Sequence, residues 1–147
     1  MDVLSLRSAR ALSLALMAAI ALIAGGCGGS SRPQARGPVF RVNERDFSIS
    51  APRQVDAGDI TLRVDNLGPD AHELLVARLG NDGLPMRSDG MTIDEEALAR
   101  RGLQVLEPGA SGAVRDLQVR LTPGRYVLFC NMSGHYLGGM HRVLVVR

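Results

Sequence analysis

The sequence lacks most of the motifs on which catalysis and nucleic-acid binding depend. It contains no Gly-rich phosphate loop, no HExxH pattern of the zinc peptidases and no GxSxG pattern of the serine hydrolases. It also lacks lysine, so its 17 basic residues are all arginine, and these are scattered among 15 acidic residues without forming a basic stripe. These absences argue against nucleotide, peptidase and hydrolase chemistry and against nucleic-acid binding.

Cysteine and histidine are also scarce, with 2 and 3 residues in the chain. One of the cysteines and two of the histidines nevertheless lie together in residues 129–146, "FCNMSGHYLGGMHRVLVV". The length of 147 residues suits a single domain, and 46% hydrophobic with 22% charged residues is ordinary for a globular protein. The clustering of metal-binding residue types is therefore the main functional signal.

The N-terminus has the pattern of an export signal. Arg7 and Arg10 precede the uncharged run "ALSLALMAAIALIAGG", which ends at Cys27. This run is shorter than the roughly 20 residues that a membrane-spanning helix needs. Small residues crowd its end, which favours cleavage. Residues 1–26 are thus predicted to direct export, and the mature protein is expected outside the cytoplasm.

Residues 24–27, Ala-Gly-Gly-Cys, resemble a bacterial lipoprotein box, although Ala24 stands where such boxes usually carry leucine. The resemblance implies that Cys27 becomes the lipid-bearing first residue and anchors the protein at the periplasmic or extracytoplasmic face of a bacterial membrane. Ordinary cleavage is the alternative, and it would leave Cys27 as a free thiol or as a disulfide partner of Cys130. A disulfide between Cys27 and Cys130 would remove the thiolate of Cys130. Acylation of Cys27 prevents that disulfide, which favours lipidation.

Residues 27–38 are rich in Gly, Ser, Pro and Arg and are predicted to form a flexible tether. Residues 39–147 then show short runs of alternating or β-branched residues separated by turn residues, such as Pro123-Gly124. This spacing predicts an all-β domain, a β-sandwich.

One segment departs from the β pattern. Thr92 stands three residues before Glu95, a capping-box spacing, and Gly102 follows a pair of arginines as a stop signal. A short helix is therefore predicted over Ile93 to Arg101, in an excursion between two strands.

The C-terminal cluster has the residue types of a copper site. Cys130, His135 and Met140 form a C-x4-H-x4-M loop, and the glycines within it allow the backbone to curl so that all three side chains point inward. Blue-copper centres combine two histidines and one cysteine with a weak axial methionine. The missing histidine must come from elsewhere, and His72, at the start of a predicted strand, is the candidate.

The sequence resembles the cupredoxins, the small blue copper proteins of the plastocyanin and azurin kind. "GRYVLFCNMSGHYLGGMHRVLVV" is similar to their C-terminal signature, and "VDNLGPDAHELLV" to the segment that carries their upstream histidine. The resemblance covers residues 39–147 and implies a Greek-key β-sandwich. It also implies one copper ion, Cu(I) or Cu(II), with His72, Cys130 and His135 as equatorial ligands and Met140 as the axial ligand.

Two places depart from the family pattern. Many cupredoxins carry an Asn or Ser after the upstream histidine, and its side chain binds the residue that follows the Cys. In this sequence Glu73 and Asn131 occupy those two positions. A hydrogen bond between Glu73 and Asn131 would fix the ligand loop, but Glu73 could equally point to solvent. His141 follows Met140 directly and should face away from the metal, because neighbours in a strand point to opposite sides. Met132 is expected to pack within the loop.

The resemblance implies a one-electron carrier. Four protein ligands leave no open position for a substrate, so no enzymatic activity is expected. The family's C-terminal histidine is its electron port, which here makes His135 the exit, and the predicted rim consists of Leu67, Gly68, Pro69, Tyr136 and Leu137. The domain is expected to be a monomer that meets its redox partners transiently, through small interfaces.

The alternative function is copper delivery for the assembly of another copper enzyme. A delivery protein should carry surplus Met or His tracts, but Met86, Met91, Met132 and His141 are dispersed. A copper-free domain that only retains the fold would have lost a ligand, and none is missing.

Overall fold

The computed structural model describes residues 36–147. The predicted export signal, the predicted lipid site at Cys27 and most of the predicted tether lie outside the described residues. Within the described part of the chain, no helix is long and apolar enough to cross a membrane.

The described residues form strands almost throughout, with one short helix. The strands are β1 (Val39–Arg45), β2 (Ser48–Ser50), β3 (Gln54–Val55), β4 (Gly58–Asn66), β5 (His72–Arg78), β6 (Gln104–Gly109), β7 (Val114–Leu121), β8 (Gly124–Phe129) and β9 (His141–Val146), and the helix is α1 (Glu95–Ala99).

The strands make two sheets that pack face to face. One sheet has the order β2-β1-β4-β7 and the other the order β3-β9-β8-β5-β6. Pairs β1–β4 and β3–β9 are parallel. The core between the sheets contains fully buried residues from both, among them Val42, Leu62, Leu74, Leu128 and Leu144. The predicted all-β sandwich with one short helix is confirmed.

A second apolar cluster covers the outer face of the five-stranded sheet. Leu75 and Val127 point away from the main core and pack against Ile93 and Leu98 from the excursion between β5 and β6. Strands β5 and β8 are therefore buried on both faces, which explains why "HELLVAR" and "GRYVLF" read as nearly continuous apolar runs.

The helix is shorter than predicted and starts with a different cap. It spans Glu95–Ala99, and its N-cap is Asp94, whose side chain accepts a hydrogen bond from the Ala97 amide at 3.0 Å. Thr92, the predicted cap, donates its hydroxyl to Asp89 instead. The predicted start at Ile93 is wrong because the backbone of that residue bridges to Met86 and is bound by Asn131.

A buried ion pair links β1 to β7. Glu44 is fully buried, and its Oε2 accepts a hydrogen bond from Arg115 Nη2 at 2.6 Å. Its Oε1 has no hydrogen-bond partner among the described residues. Burial raises the pKa of Glu44 from 4.5 to about 7, in spite of the attraction of Arg115.

This raised pKa predicts a loss of stability as pH increases. Between the two pKa values the unfolded chain releases a proton that folded Glu44 retains, so the free energy of unfolding falls by about 3 kcal/mol across this window. Glu44→Gln should remove that fall, because its side chain is neutral throughout. Urea unfolding of the metal-free protein at about pH 5 and about pH 8 would measure it. The exposed Glu96→Gln is the control, and parallel pH profiles for Glu44→Gln and wild type would contradict the prediction.

Candidate metal centre

Strand pairing brings two of the buried ligand candidates, His72 and Cys130, together. His72 is the first residue of β5, and Cys130 directly follows β8. The two strands are antiparallel neighbours, with Leu75 opposite Phe129. The start of β5 therefore lies beside the end of β8, which brings His72 and Cys130 to the same end of the sheet.

His135 completes a compact cluster with these two residues. The potential ligand atoms of His72, Cys130 and His135 all lie within 4.8 Å of one another. Cys130 Sγ is 3.6 Å from His135 Nδ1, and the two imidazole rings are 5.2 Å apart between centroids. His72 and Cys130 are fully buried, whereas His135 is partly exposed. Two imidazoles and one thiol thus surround one point at the edge of the core.

The C-terminal loop is closed by its own backbone. The Met140 amide donates to His135 O at 2.9 Å, and Met140 O accepts from the Cys130 amide at 3.1 Å. Gly139, immediately before Met140, has a φ of 106°, a conformation that other residues rarely adopt. The Met140 side chain is fully buried in the same core cluster as Cys130. Backbone hydrogen bonds therefore join Met140, the predicted axial ligand, to both of the other predicted ligands in the loop.

The thiol of Cys130 lies in a mixed environment. Burial raises its pKa, and the carboxylates of Glu73 and Glu44 add to this effect. Hydrogen bonds from the backbone N–H groups of Glu73 and Met132 act in the opposite direction but do not outweigh burial. Metal-free Cys130 is thus a protonated thiol near neutral pH, and its two N–H donors are in place to stabilise a metal-bound thiolate.

His72 has one nitrogen engaged and one unsatisfied. Its Nε2 lies 2.9 Å from Asp46 Oδ1. Its Nδ1 is buried and has no hydrogen-bond partner among the described residues. A buried polar atom without a partner is rare in native structures and requires an explanation. The residues present fit a copper ion, since an imidazole nitrogen without a partner, a second imidazole, a thiol and a buried thioether make up the blue-copper donor set.

Glu73 and Asn131 do meet, but through the backbone of Asn131. The Asn131 amide donates to Glu73 Oε1 at 3.2 Å. The Asn131 side chain instead binds the excursion: its Oδ1 accepts from the Ile93 amide at 2.6 Å, and its Nδ2 donates to Ile93 O at 3.1 Å and to Glu95 Oε1 at 2.7 Å. The residue next to Cys130 therefore ties the segment containing α1 to the ligand loop.

The loop before His72 is organised by a residue that the sequence did not single out. Asn66 is fully buried, and its Nδ2 donates to Asp70 O at 2.7 Å and to Gly109 O at 3.0 Å. Its Oδ1 accepts from the Gly68 amide at 3.0 Å. An asparagine in a turn-rich "DNLG" stretch was the only signal, and that signal is weak.

The predicted rim of His135 is only partly an exposed apolar surface. Leu67 and Leu137 are 46% and 59% exposed, and Pro69 is also exposed. Gly68 is buried. Tyr136 is half-buried, and its ring packs on Phe129 at 5.8 Å between centroids, towards the second core cluster.

Phe47 was not predicted from the sequence as part of this site. It is 52% exposed, and its ring lies edge-on to His135 with a centroid separation of 5.4 Å. It lies in the turn between β1 and β2, far from the ligand loop in sequence.

The remaining candidate residues lie outside the three-residue cluster. His141 is exposed, and its Nδ1 is 3.3 Å from Tyr136 O. Met132 is half-buried against the main core. Met86 and Met91 are exposed, at 40% and 48%.

Compared by sequence, the chain matches no protein-family model and no curated protein. Compared by structure, it resembles a dithionite-reduced auracyanin from the photosynthetic bacterium Roseiflexus castenholzii, with a TM-score of 0.53 and 18% identity over 77% of this chain and 98% of that one. Auracyanin B gives a TM-score of 0.53 and 19% identity over 75% of this chain and 88% of its own.

A third structure is auracyanin A, a "blue" copper protein from the green thermophilic photosynthetic bacterium Chloroflexus aurantiacus. Its TM-score is 0.52, with 17% identity over 76% of this chain and 100% of that one. At such low identities the similarity establishes a shared fold. The chain therefore has the cupredoxin fold, the Greek-key β-sandwich that its two sequence signatures predicted.

Proposed function

We propose that this protein is a type I (blue) copper protein that carries one electron at a time between redox partners outside the cytoplasm. The observation that carries the proposal is the convergence of His72, Cys130 and His135 within 4.8 Å at the end of a cupredoxin fold, with Met140 buried beside them. Auracyanin A, which shares the fold, is described as a "blue" copper protein.

The ligand roles follow from the donor chemistry. His72, Cys130 and His135 would supply the equatorial nitrogens and sulfur, and Met140 the axial thioether. A copper ion in such a site supplies one-electron chemistry by alternating between Cu(I) and Cu(II). The hydrogen bonds of Met140 to Cys130 and His135 hold the loop in one conformation, so that little has to reorganise when an electron moves.

His135 is the proposed electron exit. It is the only partly exposed member of the three-residue cluster. Exposed Phe47 packs edge-on against it. Exposed Leu67 and Leu137 directly precede Gly68, which lies beside His72, and Gly138, which lies beside Phe47. We define Phe47, Leu67 and Leu137 with Pro69 as the docking patch. Such a small apolar surface suits the brief encounters that are typical of redox proteins, and it is consistent with a monomer.

The proposed location depends on the N-terminal sequence. Residues 1–26 would direct export, a lipid on Cys27 would anchor the protein to a bacterial membrane, and the following tether would position the domain. The end of that tether is joined to the sandwich, because the Arg36 amide donates to Thr61 Oγ1 and the Thr61 amide donates to Pro38 O.

Copper titration tests the proposed function. We would add one equivalent of Cu(II) to the full chain carrying Cys27→Ser, so that Cys130 is the only thiol. We expect an intense blue thiolate-to-copper band that ascorbate bleaches and air or ferricyanide restores. A pale or colourless complex would contradict the electron-carrier function, and rapid transfer of the bound copper to a competing chelator would then favour the delivery function.

A further inference from the structure

The turn between β1 and β2 touches both histidine ligands. Asp46 and Phe47 form this turn, which is closed by the pair Arg45 and Ser48. Asp46 binds His72, and the Phe47 ring packs on His135. Phe47 adopts a φ of 59°, which is uncommon for a residue other than glycine.

The contact between Asp46 and His72 fixes the state of the imidazole. The Asp46 Oδ1 to His72 Nε2 distance of 2.9 Å is a hydrogen bond, and an ionised carboxylate can only accept, so Nε2 must carry the proton. In the neutral imidazole, Nδ1 is then the nitrogen with a free lone pair, and it is also a buried atom without a hydrogen-bond partner among the described residues. The carboxylate therefore selects the nitrogen that remains for the metal.

Gly68 provides a second, independent observation. A Cβ at this position would lie 2.5 Å from Asp46 Oδ1 and 3.0 Å from His72 Nε2. Gly68 does not have a positive φ, so the backbone conformation does not require glycine here. The absence of a side chain at Gly68 leaves the space in which the carboxylate and the imidazole meet.

We propose that Asp46 is a positioning residue that orients His72 for the metal and lowers the reduction potential of the site. This inference rests on the proposed copper function. A carboxylate that accepts from a ligating imidazole raises the basicity of that ligand. A more basic and more negative environment stabilises Cu(II) more than Cu(I). His72 is fully buried and the Asp46 side chain is only 29% exposed, so solvent screens this charge incompletely.

Asp46→Asn and Asp46→Ala separate charge from position. Asparagine retains an oxygen acceptor of the same shape but loses the charge, whereas alanine loses both. Outer hydrogen-bond partners of this kind typically contribute about 10-fold to 100-fold to metal affinity. If Cu(II) affinity falls tenfold more than Cu(I) affinity, the potential rises by about 59 mV. We expect at least this rise in Asp46→Asn, and weaker Cu(II) binding still in Asp46→Ala.

Two further variants control the test. Asp70→Asn removes an equal charge from the exposed loop before His72 and should leave the potential nearly unchanged. Gly68→Ala keeps the Asp46 charge but displaces the carboxylate, so it should raise the potential as Asp46→Asn does. An unchanged potential in Asp46→Asn, or an equal rise in Asp70→Asn, would overturn the inference.

A copper-free measurement separates this inference from the proposed function. Nitrogen-15 NMR of the metal-free full chain should show His72 with a protonated Nε2 and a bare Nδ1, and a protonated Nδ1 would overturn the assignment. A colourless wild-type protein with this tautomer would overturn the copper function while leaving the orienting role of Asp46 in place. A blue wild-type protein whose potential Asp46→Asn does not change would overturn the inference alone.

Discussion

Cys130→Ser is expected to abolish the intense visible band of the copper-loaded protein completely. The band arises from charge transfer between the thiolate sulfur and copper, and a serine hydroxyl neither ionises at neutral pH nor supplies a soft donor. Cys130 Sγ lies 3.6 Å from His135 Nδ1 and accepts hydrogen bonds from the backbone N–H groups of Glu73 and Met132. No other described residue provides a thiol.

Cys27→Ser is the matched control, since it removes the other cysteine of the chain and should leave the band at full strength. Visible absorption after one equivalent of Cu(II) measures both variants, and far-UV circular dichroism verifies that each is folded. A band that survives in folded Cys130→Ser, or disappears in Cys27→Ser, would contradict the assignment of Cys130 as the sulfur ligand.

Asn131→Ala is expected to lower the free energy of unfolding by about 3 kcal/mol. The substitution leaves the N–H and C=O of fully buried Ile93 without the side chain that binds them. Each buried polar group that loses its partner costs about 1 to 3 kcal/mol. The loss also frees Glu95 from its contact with the ligand loop.

Urea unfolding followed by far-UV circular dichroism would measure this change in the metal-free protein. The control is Asn81→Ala, an exposed asparagine of the same excursion, for which the effect should stay within about 0.5 kcal/mol. Equal losses in the two variants would show that the Asn131 side chain does not anchor the excursion.

Much of the candidate metal centre could be predicted because its candidate ligands are concentrated in sequence. Cys130, His135 and Met140 lie in one loop with regular spacing, and only two other histidines exist in the chain. The strands were predictable because each carries a short apolar or alternating run. These are local patterns, and local patterns are what a single sequence displays.

Asp46 and Phe47 could not be predicted, because their position depends on the pairing of distant strands. Parallel pairing of β1 with β4 sets Glu44 opposite Asn66, and this register alone brings the following turn beside the loop that leads to His72. The predicted bounds of α1 were wrong for a similar reason. The sequence around Ile93 favours a helix. The side chain of Asn131, which lies just after β8, instead binds the Ile93 backbone and holds it in a non-helical conformation.

The same distant pairing has a consequence for how the protein folds. Gln54 pairs with Val145, and Leu75 with Phe129, so the sandwich is dominated by contacts between remote parts of the chain. Domains of this kind fold in milliseconds to seconds, more slowly than those with mainly local contacts. Cys130 becomes buried only when β5, β8 and β9 have come together. Its thiol is therefore open to oxidation throughout that interval, and a variant that slows folding would lose copper-binding capacity without any change in the finished site.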